Sequence, residues 1–150
     1  MDIFSAGLIG FGIFLALGFL VIYILYLLNL QKTLQEVSLQ NRRMEPSNVW
    51  LMLIPLFNVV WQFIVIDRLA DSIQHELQSR GIAVNERPAY NVGLAYCILT
   101  LCGWIPLLGS FASLGFLVCF VIHWVKINEY RKQLIATRNS GDKTESTIFY

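Results

Sequence analysis

Four apolar stretches constrain the fold of this chain more than any other feature of its sequence. They cover residues 3–30, 49–66, 89–108 and 110–127, and none of the eleven Lys and Arg residues precedes Lys32. Positively charged residues favour the cytoplasmic side of a membrane. The charge asymmetry therefore predicts an integral membrane protein and sets its orientation.

The length of the first stretch supports a retained membrane span. Its 28 residues would form a helix of about 42 Å, which exceeds the ~30 Å hydrocarbon layer. It is too long for a cleaved signal peptide, and only Asp2 precedes it as a charged residue. The whole chain is 56% hydrophobic and 14% charged, too apolar for an ordinary soluble domain.

The second stretch, residues 49–66, allows two topologies. If it crosses the bilayer as a kinked fourth span, Arg42 and Arg43 lie opposite the other basic residues, against the charge rule. If it enters and leaves on one side, every basic residue is cytoplasmic. Pro55 breaks or bends a helix, and a fold there brings Trp50 and Trp61 to similar depth. We favour the re-entrant segment and keep the kinked span as the alternative.

An amphipathic segment follows three of the apolar stretches on the basic side. Apolar residues recur at helical spacing at 30, 34 and 37, again at 66, 69, 70, 73 and 77, and again at 127, 130 and 134. This pattern is typical of helices that lie on a membrane surface or pack as a small cytoplasmic layer. Gly81 is expected to stop the second of them, and Pro88 to open the third span.

The predicted fold is therefore an all-α membrane protein with three transmembrane helices, a Pro-centred re-entrant or kinked fourth segment, and cytoplasmic amphipathic helix extensions. Residues 1–138 form one helical membrane domain, and residues 139–150 are predicted to be a disordered cytoplasmic tail. The N-terminus is expected outside and the C-terminus in the cytoplasm.

Few polar residues interrupt the apolar stretches. Asn58 follows the Pro55 break, where its amide can cap freed carbonyls or, with Gln62, form the polar lining of a pore or ligand site. His123, near the end of the last stretch, is expected to face head groups, with a proton relay or haem ligand as the sharper alternative. These four are the candidate pore or packing residues.

Few charged residues cluster closely enough in the sequence to suggest a binding or catalytic site. Asp67, Arg68 and Asp71 form the densest cluster, which can hold a cation or a head group but more simply pairs on the surface. Cys97, Cys102 and Cys119 lie in apolar stretches and are predicted to be reduced packing residues. The sequence carries no catalytic triad, phosphate loop or zinc-ligand spacing, so we expect no enzyme, no cofactor and no bound metal.

Small residues recur at helix-packing spacing, at 6, 10, 12 and 16 and again at 109, 112, 113 and 115. Packing within the chain and association between copies explain them equally well. The near-neutral net charge of +1 argues against nucleic acid as a partner.

Residues 41–63 carry a motif, W-L-x-L-I-P-x-F-N-x-x-W, that resembles a family of small bacterial inner-membrane proteins defined as a domain of unknown function. The similarity extends over residues 20–135 and includes Gly103-Trp-Ile-Pro-Leu-Leu-Gly and Trp124-Val-Lys-Ile-Asn-Glu-Tyr. The resemblance implies a bacterial cytoplasmic membrane, but no activity and no site residues.

The function we expect is that of a non-enzymatic membrane scaffold or accessory subunit. Its partners would be the lipid bilayer and either further copies of itself or another membrane protein. The alternative is an oligomeric pore or small transporter lined by Pro55, Asn58 and Gln62.

Overall fold

A computed structural model describes the backbone of residues 3–103 and 109–148 and the side chains of residues 7–103 and 112–140. Within these ranges the fold is entirely helical. Its elements are α1 (Ile3–Glu36), a 3-10 helix (Pro46–Leu53), α2 (Pro55–Ser79), α3 (Tyr90–Cys102) and α4 (Gly109–Ile148). The all-α prediction is confirmed.

Three of the four α-helices run in the same direction. Tyr26 of α1 meets His123 of α4, and further along both helices Glu36 pairs with Arg138. The early part of α2 lies beside Tyr23, and its later part reaches Ser38 just beyond α1. α3 runs in the opposite direction.

The chain folds back on itself at Pro55. The 3-10 helix approaches from the loop after α1, Ile54 adopts an extended conformation, and α2 starts with Pro55 in its first turn. Proline suits this position because it has no N–H to leave unpaired and its φ is already helical. Trp61 donates a hydrogen bond to the Asn48 carbonyl across the fold at 2.9 Å, so the predicted bend at Pro55 is confirmed.

The three amphipathic segments form one packed core. The apolar positions predicted at 30, 34 and 37, at 66, 69, 70, 73 and 77, and at 127 and 134 are all at most 2% exposed, and Tyr130 packs against them. Each segment continues its apolar helix without interruption. The sequence allowed these segments either to lie on a membrane surface or to pack as a layer, and the structure has the packed layer.

The first half of α1 has the opposite environment. Its apolar side chains from Leu8 to Ile22 are roughly half exposed, and the most apolar 18-residue window of this helix has no buried residue. We call residues 7–25 the bare half of α1, and we call the packed core described above, with the loop residues that contact it, the base. The bare half projects from the base.

The helix lengths bear on the predicted spans. α1 and α4 are both long and apolar enough to cross a bilayer. The described part of α3 has 13 residues, about 20 Å, and residues 104–108 lie outside the described structure. The number of spans stays a prediction.

The observed ends of α2 and α4 and the start of α3 can be compared with the predicted boundaries. α2 ends at Ser79, just before Gly81 as expected, and the Gly81 φ of +77° lets the Ile82 N–H bond back to the Leu77 carbonyl at 3.0 Å. α4 continues to Ile148, so the structure has helix over most of the predicted tail of residues 139–150. α3 begins at Tyr90, two residues after Pro88.

Candidate functional site

A cavity of about 530 Å³ lies between the bare half of α1 and the fold at Pro55. We call it the Gln62 cavity. Its walls come from all four α-helices and the end of the 3-10 helix. They consist of Ala16, Phe19, Leu20, Tyr23, Met52, Leu53, Pro55, Asn58, Gln62, Tyr96, Thr100 and Phe116.

Gln62 is the most unusual residue in this wall. It is fully buried, yet neither its Nε2 nor its Oε1 has a hydrogen-bond partner. The buried Oδ1 of Asn58 also lacks one. A buried polar group without a partner costs roughly 1–3 kcal/mol, so three such atoms in two residues that line one cavity are a feature that packing alone does not favour.

The fold at Pro55 positions these amides. The Ile54 carbonyl accepts its hydrogen bond from the Asn58 backbone N–H at 2.7 Å, so the Asn58 side chain is not needed to cap it. That side chain instead interacts with the Tyr23 hydroxyl, which lies 3.4 Å from the Met52 carbonyl. The structure thus places Asn58 and Gln62, one helical turn apart, in a shared cavity wall.

His123 does not face head groups, and that expectation is wrong. The ring is 1% exposed and its Nδ1 lies 3.1 Å from the Tyr26 hydroxyl. Its ring centroid lies 6.4 Å from that of Tyr96. His123 is therefore separate from the Gln62 cavity and belongs to an aromatic cluster that joins α1, α3 and α4.

Gly93 makes this arrangement of His123 possible. A Cβ on Gly93 would come within 2.6 Å of Ile66 Cγ2 and 2.9 Å of the His123 ring. Only glycine allows α3 to approach α2 and α4 this closely. No feature of the sequence distinguished Gly93 from the other glycines.

The charged cluster predicted at 67, 68 and 71 has a cation that the sequence did not indicate. Arg87, from the loop before α3, binds Asp67 at 2.8 Å and Asp71 at 2.6 Å and stacks on the Tyr90 ring. Arg68 points elsewhere and donates to the Arg43 carbonyl at 3.1 Å. This favours surface pairing over a cation site.

The pKa of Arg87 reflects this pairing. Partial desolvation lowers the pKa, but hydrogen bonds to Asp67 and Asp71 and their negative charge raise it, and the net value lies above the ordinary one. Arg87 is thus a fully charged clamp that holds the loop between α2 and α3 against α2.

A second charged group, also missed in the sequence, joins three helices at the base. Glu76 is 3% exposed and accepts hydrogen bonds from the Ser38 hydroxyl at 2.6 Å, the Asn41 amide at 2.7 Å and Arg80 at 2.6 Å. Arg80 also donates to the Leu134 carbonyl of α4. Glu76 and Arg80 are four residues apart on α2, a spacing that predicts an ion pair but not its burial.

The pKa of Glu76 is lowered by this network. Desolvation raises it, but the hydrogen bonds from Ser38, Asn41 and Arg80 lower it further, to below its ordinary value. The carboxylate is therefore held ionised, as a structural centre of the base.

Of the predicted candidate residues, the structure brings Pro55, Asn58 and Gln62 together in one cavity and places His123 and the charged cluster outside it. Sequence reasoning missed the other cavity residues with polar atoms, Tyr23, Tyr96 and Thr100, because they come from different helices. The chain was compared with protein-family models, with curated proteins and with solved structures, and none of these matches it.

Proposed function

We propose that the chain is a multi-pass protein of the bacterial cytoplasmic membrane that acts as a non-enzymatic scaffold or accessory subunit and associates with further copies of itself. The observation that carries this proposal is the bare half of α1. In water its exposed apolar surface would be unfavourable, whereas lipid and a neighbouring apolar helix are both suitable surroundings.

Helix directions support a re-entrant segment. From Pro55 to Asp67, α2 rises about 18 Å, and from Gly7 to Lys32, α1 rises about 37 Å. The fold at Pro55 therefore reaches about halfway along α1. A bilayer of ~30 Å would then place the fold near its centre, with both limbs returning to the basic side.

Burial in protein is what such a segment needs. Irregular backbone within a membrane must be covered by protein, because lipid cannot satisfy its polar groups. Here α1 covers one side of the 3-10 helix through the Tyr23–Met52 contact and a 3.0 Å hydrogen bond from Trp50 to Gln31. The fold itself, from Leu53 to Phe57, is exposed and would need a neighbouring copy to cover it.

Topology can be tested by labelling single cysteines in intact cells. Gln40→Cys lies in the loop after α1, and Asn85→Cys lies in the loop before α3. Both should resist a membrane-impermeant maleimide and react once the cells are opened. Labelling of only one of them in intact cells would contradict the re-entrant segment, and release of the protein from membranes without detergent would contradict membrane insertion.

The glycines of α1 support self-association. Among the residues that the structure describes, nothing lies within 4 Å of a Cβ built on Gly7, Gly10, Gly12 or Gly18, so these glycines do not serve packing within the described part of the chain. Gly7, Gly10 and Gly18 lie within about 80° of one another around the helix. A glycine face of this kind lets a second helix approach closely. A Cβ on Gly115, in contrast, would lie 3.4 Å from Leu99, so Gly115 packs within the chain.

A pair of variants tests the glycine face. Gly10→Leu should convert an oligomer in mild detergent to a monomer, measured as molar mass by light scattering. Gly12→Leu is the matched control, since Gly12 lies about 160° from Gly10 around α1 and should keep the wild-type mass. A monomeric wild-type protein, or equal effects of the two variants, would contradict self-association through this face.

A pore or small transporter is the second candidate, and the unpartnered amides of Asn58 and Gln62 favour it. In that case, liposomes containing the protein should show ion flux that is lost in Asn58→Leu. The closely packed rings of Tyr26, Tyr96 and Phe120, which lie on the basic side of the cavity, favour the scaffold instead.

A further inference from the structure

We propose that the Gln62 cavity binds a neutral lipid with a hydroxyl-bearing head group and an ester carbonyl, of the monoacylglycerol type. The inference rests on the membrane location proposed above, but not on self-association. The volume of about 530 Å³ lies within the range typical of small-molecule sites.

The unpartnered atoms define the chemistry of the ligand. Gln62 Oε1 and Asn58 Oδ1 are acceptors and each requires a donor, whereas Gln62 Nε2 is a donor and requires an acceptor. A monoacylglycerol has two hydroxyl donors and one ester carbonyl. It can satisfy all three atoms with one head group.

The head group should be uncharged. None of the cavity-lining residues that the structure describes is acidic or basic. A phosphate or ammonium group would therefore lose its hydration without gaining an oppositely charged partner, which is strongly unfavourable. This argues for a neutral lipid over a phospholipid.

The aliphatic chain has a path out of the cavity. Phe19, Leu20 and Leu53 line the cavity and are between 40% and 49% exposed, while Gln62 and Tyr96 in the same lining are buried. The cavity thus has a buried polar end and an open apolar rim. An acyl chain can leave over this rim and lie along the bare half of α1.

The binding experiment uses the full-length protein in phosphatidylcholine nanodiscs. Bound monoolein, methyl oleate and oleoyl lysophosphatidylcholine are measured by native mass spectrometry. Monoolein should bind saturably at one molecule per chain. Methyl oleate has the same chain and carbonyl but no hydroxyl, and the lysolipid is zwitterionic, with a phosphate and an ammonium group. Each should bind at least about tenfold more weakly than monoolein.

Two variants separate the polar contacts from the shape of the cavity. Gln62→Leu should weaken monoolein binding about tenfold or more while keeping or raising the thermal midpoint, because it removes an unpartnered buried amide. Asn29→Leu is the matched control. Asn29 also has a buried amide nitrogen without a partner, but it does not line the cavity, so binding should not change.

Three results would overturn the inference: no saturable monoolein binding, equal binding of methyl oleate, or equal binding by wild type and Gln62→Leu. The first result together with a raised midpoint in Gln62→Leu would mean that water alone occupies the cavity. A membrane-inserted monomer that binds monoolein would contradict the scaffold and support the lipid site. A membrane-inserted oligomer that binds no monoolein would support the scaffold and contradict the lipid site.

Discussion

The two halves of α1 both carry large apolar side chains but have opposite surroundings. From Gly7 to Leu25 the helix is mostly exposed. From Tyr26 onward, Leu27, Leu30 and Leu34 pack into the core and have no exposed surface. An apolar sequence alone therefore does not specify whether a helix packs against protein or stays exposed. In the second half, polar residues on the other face of the helix direct the apolar face towards α2 and α4.

The largest difference in stability is expected between alanine variants of two arginines, Arg80 and Arg138. Each pairs with its own glutamate, Arg80 with Glu76 and Arg138 with Glu36. Arg80→Ala leaves Glu76 buried without its cation and should lower the free energy of unfolding by about 3–5 kcal/mol. Arg138 is 58% exposed and pairs with Glu36 at 2.5 Å, so Arg138→Ala should cost less than about 1 kcal/mol. Denaturant unfolding in detergent measures both. Similar losses would mean that burial of the ion pair contributes little.

A pair of nearby leucines compares the two halves directly. Leu27 is fully buried, and Leu27→Ala should cost about 2–5 kcal/mol through lost burial and a cavity. Leu25 is 49% exposed on the same helix, and Leu25→Ala should cost under about 1 kcal/mol. If both variants unfold alike in the same detergent assay, the boundary between packed and bare halves is misplaced.

Glycine-to-alanine changes should have different effects in the two regions. Gly93→Ala inserts a methyl against Ile66 and His123 and should cost about 1–3 kcal/mol. Gly12→Ala adds a methyl in open space and should be neutral or slightly stabilising, since alanine favours a helix. Thermal unfolding followed by circular dichroism compares them. A neutral Gly93→Ala would show that α3 can move away from His123.

The smallest effect is the pH dependence of the base. The pKa of Glu76 is lower in the folded state than its ordinary value of 4.5, so the ionised form stabilises the fold above that pH. This stabilisation is lost as the pH falls through 4.5 towards the lower folded-state pKa. The thermal midpoint should therefore decrease over this range in the wild type and decrease less in Glu76→Gln, while variants of the bare half should keep the wild-type profile.

The fold was largely predictable where one segment contained its own signal. Helical spacing of apolar residues predicted the continuation of α1, α2 and α4 into a packed layer, and Pro55 and Gly81 predicted a bend and a stop. Asn58 and Gln62 stood out because amides are rare in apolar stretches. The pairing of Arg87 with Asp67 and Asp71 was not predictable, because 16 and 20 residues separate the partners.

The sequence by itself determined that the chain is helical and where the apolar helices break, because these properties depend on neighbouring residues along one chain. Only the tertiary structure decided that His123 is buried beside Tyr26 and that Gln62 has an unpartnered amide in a cavity. It also decided that a Cβ on the α1 glycines Gly7, Gly10, Gly12 and Gly18 would meet none of the described residues within 4 Å. Burial and hydrogen-bond satisfaction depend on which distant residues meet, and periodicity within one helix does not specify them.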